Sequence, residues 1–180
     1  MHAFRPILFV IAAFPLLSEA EVTEVSTNGF TVSHTVNSPA SPQQSWTTMT
    51  RHIDSWWDPE HSWSGDAKNL YITLEAGGCF CERLPADAQS EAGGVEHLHI
   101  IYNNPPQELR FDGALGPLQS MNLHGRMIWT VAPAESGSSI TFTYMLTGVL
   151  EGGFEGLSQG VDGVIGLQLN RLAQRLATPQ

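Results

Sequence analysis

Lysine is nearly missing from this chain: Lys68 is the only one. Lysine and arginine together number 8 against 18 aspartates and glutamates, a formal net charge of −10. No basic patch can be assembled from so few cations, which argues against nucleic acid and against an anionic membrane surface as partner. The acid excess serves solubility. Repeats and low-complexity segments are absent, and so are a phosphate-binding loop, a paired-carboxylate motif and a Ser-His-Asp order. Long apolar runs are limited to Ile7–Leu17, which is shorter than the roughly 20 residues a bilayer-spanning helix needs.

That one run sits in a leader-like context. Arg5 precedes it, and Ser18-Glu19-Ala20 follows it with small residues at the positions signal peptidase reads. The expectation is a signal peptide over residues 1–20, cleavage before Glu21, and one exported domain over 21–180, periplasmic if the cell is Gram-negative, with no membrane span in the mature chain. Cleavage removes Arg5 and Glu19 together, so the acidic balance survives.

What is present is strand pattern in the middle and helix pattern at the end. Val22–Val36 alternates loosely and can turn at Asn28-Gly29. Ser41-Pro42 is an N-cap followed by proline at the first helical position; Trp46, Met49, Ile53 and Trp56 or Trp57 then share a helical face, up to the break at Asp58-Pro59. A meander of about six strands follows, from Leu70–Leu74 to Ser139–Leu150, with Met127, Trp129 and Val131 facing inward beside Ile140, Phe142, Tyr144 and Leu146. In the closing stretch Leu157, Val161, Ile165, Leu169, Leu172 and Leu176 recur at three- and four-residue steps, one apolar helical stripe. Gly156, Gly160, Gly163 and Gly166 lie in the same stretch, each costing about 1 kcal/mol of helix propensity against alanine. Packing must therefore hold this helix, and glycine lets a backbone or a ligand come close. Strands in a run with helices at the ends predict an α+β fold with an antiparallel sheet.

Several stretches carry a resemblance: TVNSPASPQQSW, WWDPEHSWSGDAKNL, AGGCFCERLP, NNPPQELRF, GALGPLQ and VDGVIGLQLNRL. Together they resemble the SRPBCC superfamily, the START-like or Bet v 1-like helix-grip fold, and within it the branch of polyketide cyclases and heat-shock-ATPase-activator homologues, in its exported bacterial form. The resemblance covers about Val22 to Ala177. It implies a curved antiparallel sheet gripping the long C-terminal helix, with an apolar cavity between them that takes lipids, polyketides, hormones or other hydrophobic molecules. Some members are cyclases or aromatases and some are chaperone partners; no universal catalytic motif carries over.

On this reading Trp63, Trp129, Phe142, Tyr144, Gly160 and Gly163 are the candidate ligand-binding residues, Trp63 at the cavity mouth. Cys79-Phe80-Cys81 and His97-Leu98-His99 form a second constellation. Side chains two apart on a strand share a face, and a register with Cys81 opposite His97 also sets Cys79 opposite His99, a set suited to zinc or copper. Chance spacing and cysteines filling the core as small hydrophobes are the plainer account. A Cys79–Cys81 disulfide would span a Cα separation near the upper limit of about 6.8 Å and would be labile or regulatory. The sheet face is open: a two-residue turn at Gly77-Gly78 sets Cys81 opposite Leu74, inward, and a three-residue turn sets it opposite Thr73, outward.

Three functions follow. One is a binding protein for a small hydrophobic molecule. Another is a cyclase, aromatase or hydrolase using cavity His97 or His99 with an acid. The third is a metal-binding or redox-responsive protein. His61 among Asp58, Glu60 and Asp66 reads as loop capping or as a general base. Arg83, Arg110 and Arg126 read as surface partners of glutamates such as Glu82 and Glu108, or as an anchor for a ligand carboxylate. His124 has no visible partner in the sequence.

Overall fold

The computed structural model describes residues 19–178. The expected leader lies outside these residues except for Glu19 and Ala20, which begin the first strand opposite Thr35 and His34. Eight strands form one antiparallel sheet: β1 (Glu19–Ser26), β2 (Gly29–Ser38), β3 (Leu70–Ile72), β4 (Cys79–Leu84), β5 (Gly93–Asn104), β6 (Glu108–Asp112), β7 (Leu123–Pro133) and β8 (Ser138–Gly148), in the spatial order β1-β2-β8-β7-β6-β5-β4-β3. Two helices, α1 (Pro42–Arg51) and α2 (Glu155–Ala177), complete the fold. The long α2 lies along β2 and β1 and reaches α1, so the curved sheet grips the C-terminal helix. Among the described residues no helix is long and apolar enough to cross a membrane.

Local sequence explains most of these elements. Strict alternation in β2, β7 and β8 buries Val32, Met127, Trp129, Phe142, Tyr144 and Leu146 on one face. At the start of α1 the Ser41 hydroxyl accepts from the Gln44 amide while the Gln44 side chain accepts from the Ser41 amide, a reciprocal capping box. The helix stops earlier than its apolar face predicts. It ends at Arg51, and a 3₁₀ turn over Ile53–Ser55 follows. The reason is that Trp56 and Trp57 are both buried, whereas neighbours on an α-helix point about 100° apart. Past that turn the backbone leaves helical geometry at Trp56 (φ −136°, ψ −27°), and both indoles lie inward, where Trp56 Nε1 donates to the Thr48 carbonyl and Trp57 Nε1 to that of His61.

The centre of the sheet–helix sandwich is filled. Trp129 stacks on Phe142 with centroids 4.4 Å apart and meets Phe111 at 4.9 Å and Trp56 at 5.9 Å. On α2 the predicted stripe is the buried one: Val161, Ile165, Leu169 and Leu172 are buried, with Leu157 and Leu176 half-buried at its ends.

Candidate functional site: a cavity with a buried Glu–His pair

Where the aromatic core ends, a cavity of about 540 Å³ opens towards solvent. One wall is the loop after α1, with Trp57, His61 and Trp63. Leu115, Pro117 and Leu118 make the second wall, and Leu157, Gly160, Val161, Val164 and Ile165 from the first half of α2 the third. His97 and Tyr144 border it from the sheet. The size and the apolar lining are those of small-molecule sites.

The first wall is fastened at both ends. Buried Gln168 of α2 accepts from the Asp58 amide (2.8 Å) through Oε1 and donates to His61 Nδ1 (3.0 Å) through Nε2. Arg171 Nε donates to the Trp56 carbonyl at 2.9 Å. Farther along, the amides of Trp63 and Ser64 donate to the two oxygens of Glu82, at 3.0 and 2.6 Å. The second wall hangs on Tyr144, whose hydroxyl accepts from the Leu115 amide (2.9 Å) and donates to the Gly113 carbonyl (3.3 Å). Burial pushes that phenol up to about 12. Gly125 makes room for it, since a Cβ there would lie 2.6 Å from the Tyr144 oxygen.

Glu82 and His97 form the one buried carboxylate–histidine couple at the cavity among the described residues. Oε2 of Glu82 lies 2.9 Å from His97 Nε2, with 1 % of Glu82 and 4 % of His97 exposed. Burial works to raise the Glu82 carboxyl, but hydrogen bonds from Ser64, Trp63 and His97 outweigh it and hold the group below its usual range. Burial drives His97 the other way from a free imidazole, below its usual value, and Glu82 offsets only part of this. A carboxylate only accepts, so Nε2 carries the proton and Nδ1 of the neutral ring has a lone pair.

A β-bulge creates this geometry. Cys79 pairs with His99 and Phe80 with Leu98, but Cys81 pairs with Glu96, so His97 is the extra residue. The expected register of Cys81 opposite His97 is therefore corrected: the bulge turns His97 inward to Glu82, while His99 stays outward with Glu96 at 3.3 Å. The turn before β4 is also longer than either expected form, and Cys81 faces Tyr71 across it. Cys79 and Cys81 are joined as a disulfide, their Cα atoms 5.4 Å apart, at the point where the ladder to β5 shifts register. The four proposed metal ligands are thus split between the two faces. The sulfurs lie beside Glu96, all three ligand atoms within 4.8 Å of one another.

The other candidates divide as well. Trp63 stands at the mouth, 57 % exposed, and Tyr144 and Gly160 border the cavity. Trp129 and Phe142 are sealed in the core and do not border it. Gly163 is exposed, and a Cβ there would meet nothing within 4 Å; it faces solvent, contrary to the inward position expected of it. None of the three strand arginines borders the cavity. Arg83 lies over the Tyr71 ring, Arg110 pairs with Glu108 and Arg126 with Asp112. His124 also has a partner, Asp112 at 3.2 Å. Sequence reasoning missed Glu82 and Gln168 as parts of the site. A glutamate on a strand beside two cysteines reads as surface, and a glutamine within an apolar helical stripe was the one available signal for the second.

No family model matches the chain, and no curated protein matches it. Solved structures do share its fold. CalU16 from Micromonospora echinospora is similar with a TM-score of 0.59 at 14 % identity, over 91 % of this chain and 86 % of its own. A protein from Rhodobacter sphaeroides is similar with a TM-score of 0.54 at 14 % identity, over 88 % and 99 %. A conserved protein of unknown function from Enterococcus faecalis gives 0.56 at 14 %, over 91 % and 78 %. At such identities the likeness carries the architecture, a helix-grip-like α+β fold, and no activity.

Proposed function

We propose that this chain is an exported member of the SRPBCC superfamily that holds a small hydrophobic molecule between its sheet and the first half of its C-terminal helix. The observation that carries this reading is the apolar cavity of about 540 Å³ between loop 57–63, loop 115–118 and α2. The sequence resemblance and the shared fold support it. The cavity lies at the end of the sandwich rather than at its aromatic centre, because Trp129, Phe142 and Trp56 already fill the centre.

A neutral fluorescent probe, N-phenyl-1-naphthylamine, tests the reading. It is expected to bind the wild-type protein with a blue-shifted emission. Val164→Trp, which fills the cavity from the half-buried third wall, is expected to abolish binding while circular dichroism stays unchanged. Binding that survives in a folded Val164→Trp protein sinks the proposal. Native mass spectrometry of protein recovered from its own compartment identifies the guest, and the intact mass tests cleavage after Ala20.

A second reading, acid–base chemistry on the bound molecule, is favoured by one observation, the His97–Glu82 pair at the cavity. A neutral histidine oriented by a carboxylate is the usual form of a general base. Turnover of a guest recovered by mass spectrometry, lost in His97→Gln, is the measurement that separates this reading from binding alone.

A further inference from the structure

The Glu82–His97 pair is built as a recognition point. His97 is the bulged residue of β5, turned inward at the one place where the ladder slips. Its Nε2 is committed to Glu82, and Glu82 is in turn held by the Trp63 and Ser64 amides. The ring is thereby locked in position and in tautomer, with the proton on Nε2. Nδ1 has no hydrogen-bond partner among the described residues. Among the described residues, the enclosed side-chain polar atoms without a partner are His34 Nδ1, Asn103 Oδ1 and Trp129 Nε1. His97 Nδ1 is not one of these, because the ring borders the cavity. An oriented acceptor therefore borders a mostly apolar cavity, whose other polar side chains are Tyr144 and, on the first wall, Glu60, His61 and Ser62, and leaving such an acceptor unpaired costs free energy. Flat and aliphatic surfaces in the same lining are those of Trp57, Leu118, Val161 and Ile165. Tyr144 cannot compete for Nδ1 as donor, since its proton is directed to the Gly113 carbonyl.

From this geometry we infer that the cavity selects apolar molecules bearing a hydroxyl or phenol group, whose O–H donates to His97 Nδ1 while the hydrocarbon body lies against α2 and loop 115–118. This rests on the cavity being a ligand site, and it adds the class of ligand. A ketone, ether or carboxylate oxygen would meet the Nδ1 lone pair with one of its own and would be disfavoured.

The test uses two probes of nearly equal shape, 2-naphthol and 2-methoxynaphthalene, titrated by quenching of tryptophan fluorescence. Wild-type protein is expected to bind 2-naphthol about tenfold tighter, the preference one well-placed hydrogen bond gives. In His97→Gln the amide can still donate to Glu82 from the place of Nε2, but the Nδ1 acceptor is gone. That variant is expected to bind the two probes with equal affinity. Should it prove unfolded, His97→Asn, which restores an acceptor oxygen near Nδ1, is expected to retain part of the preference. Equal wild-type affinities for the two probes overturn the inference and leave the hydrophobic-site reading intact. A tenfold preference that persists in folded His97→Gln also overturns it. Failure of both probes to bind the wild-type protein overturns the site reading itself.

Discussion

The Cα of Gly166 lies beneath the imidazole of His34: a Cβ at position 166 would stand 2.7 Å from His34 Cε1 and 3.0 Å from Nδ1. His34 on β2 also meets Asp162 of α2, Nε2 to Oδ1 at 2.8 Å. Sheet and helix approach closely here because position 166 has no side chain. Of the four α2 glycines, this is the one that packing demands, and Gly156, Gly160 and Gly163 meet nothing within 4 Å.

Substituting the glycines separates these roles. Gly166→Ala gains helix propensity but forces the His34 ring away from Asp162, and overpacking of this kind costs about 1–3 kcal/mol. Gly163→Ala has no clash and should stabilise by up to about 1 kcal/mol. Urea midpoints for the two variants should move in opposite directions. Probe binding should be unaffected by Gly163→Ala.

Gln168→Leu removes both hydrogen bonds that tie loop 57–63 to α2 and leaves the Asp58 amide without its acceptor. Losing the partners of buried polar groups costs about 1–3 kcal/mol. We expect earlier proteolytic cleavage within residues 57–64 and at least a severalfold loss of N-phenyl-1-naphthylamine affinity, because the first wall is no longer anchored. Unchanged proteolysis and affinity would mean that Glu82 and Arg171 suffice to hold the loop.

Acid should destabilise the protein in two steps. His97 is held below its usual value in the fold, so the unfolded chain binds the proton more readily, and stability falls as pH drops below the ordinary histidine value of about 6.5. Glu82 is also held low; its contribution is present above the ordinary glutamate value of about 4.3 and is lost as pH falls through its folded value. Thermal melts should therefore be flat above about pH 7 and decline below it. His97→Gln should flatten the first part of the decline only.

The sulfur pair on the outer face predicts a redox-dependent metal response. Oxidised protein, with Cys79 and Cys81 joined, offers no thiolate, the form that binds zinc. Reduction frees both thiols beside Glu96. Zinc measured after dialysis should be negligible before reduction and about equimolar after it, and Cys81→Ser should abolish the gain. Equal zinc in both states would dissociate metal binding from the cysteines.

Much of the architecture was legible in local pattern. Period-two alternation located β7 and β8, three- and four-residue spacing located the buried stripe of α2, and Ser41-Pro42 marked the start of α1, because each signal is a property of neighbouring residues and the face they share. The site was less legible. Trp63 lies at the rim and Tyr144 in the wall, whereas Trp129 and Phe142, on the same strand faces, lie in the core. Periodicity assigns a side chain to the inside of the sheet, but the packing of Trp56 and Phe111 determines whether that inside is solid or hollow.

By itself, then, the sequence determined the class of fold, the gripped face of the closing helix and the acidic net charge. Tertiary structure alone decided which chemistry faces the cavity. A one-residue slip between β4 and β5 sends His97 inward and leaves His99 outside. Since side chains alternate with a period of two, such a slip reverses the face of every residue beyond it. Register is fixed by contacts between strands, and no spacing within either strand encodes it.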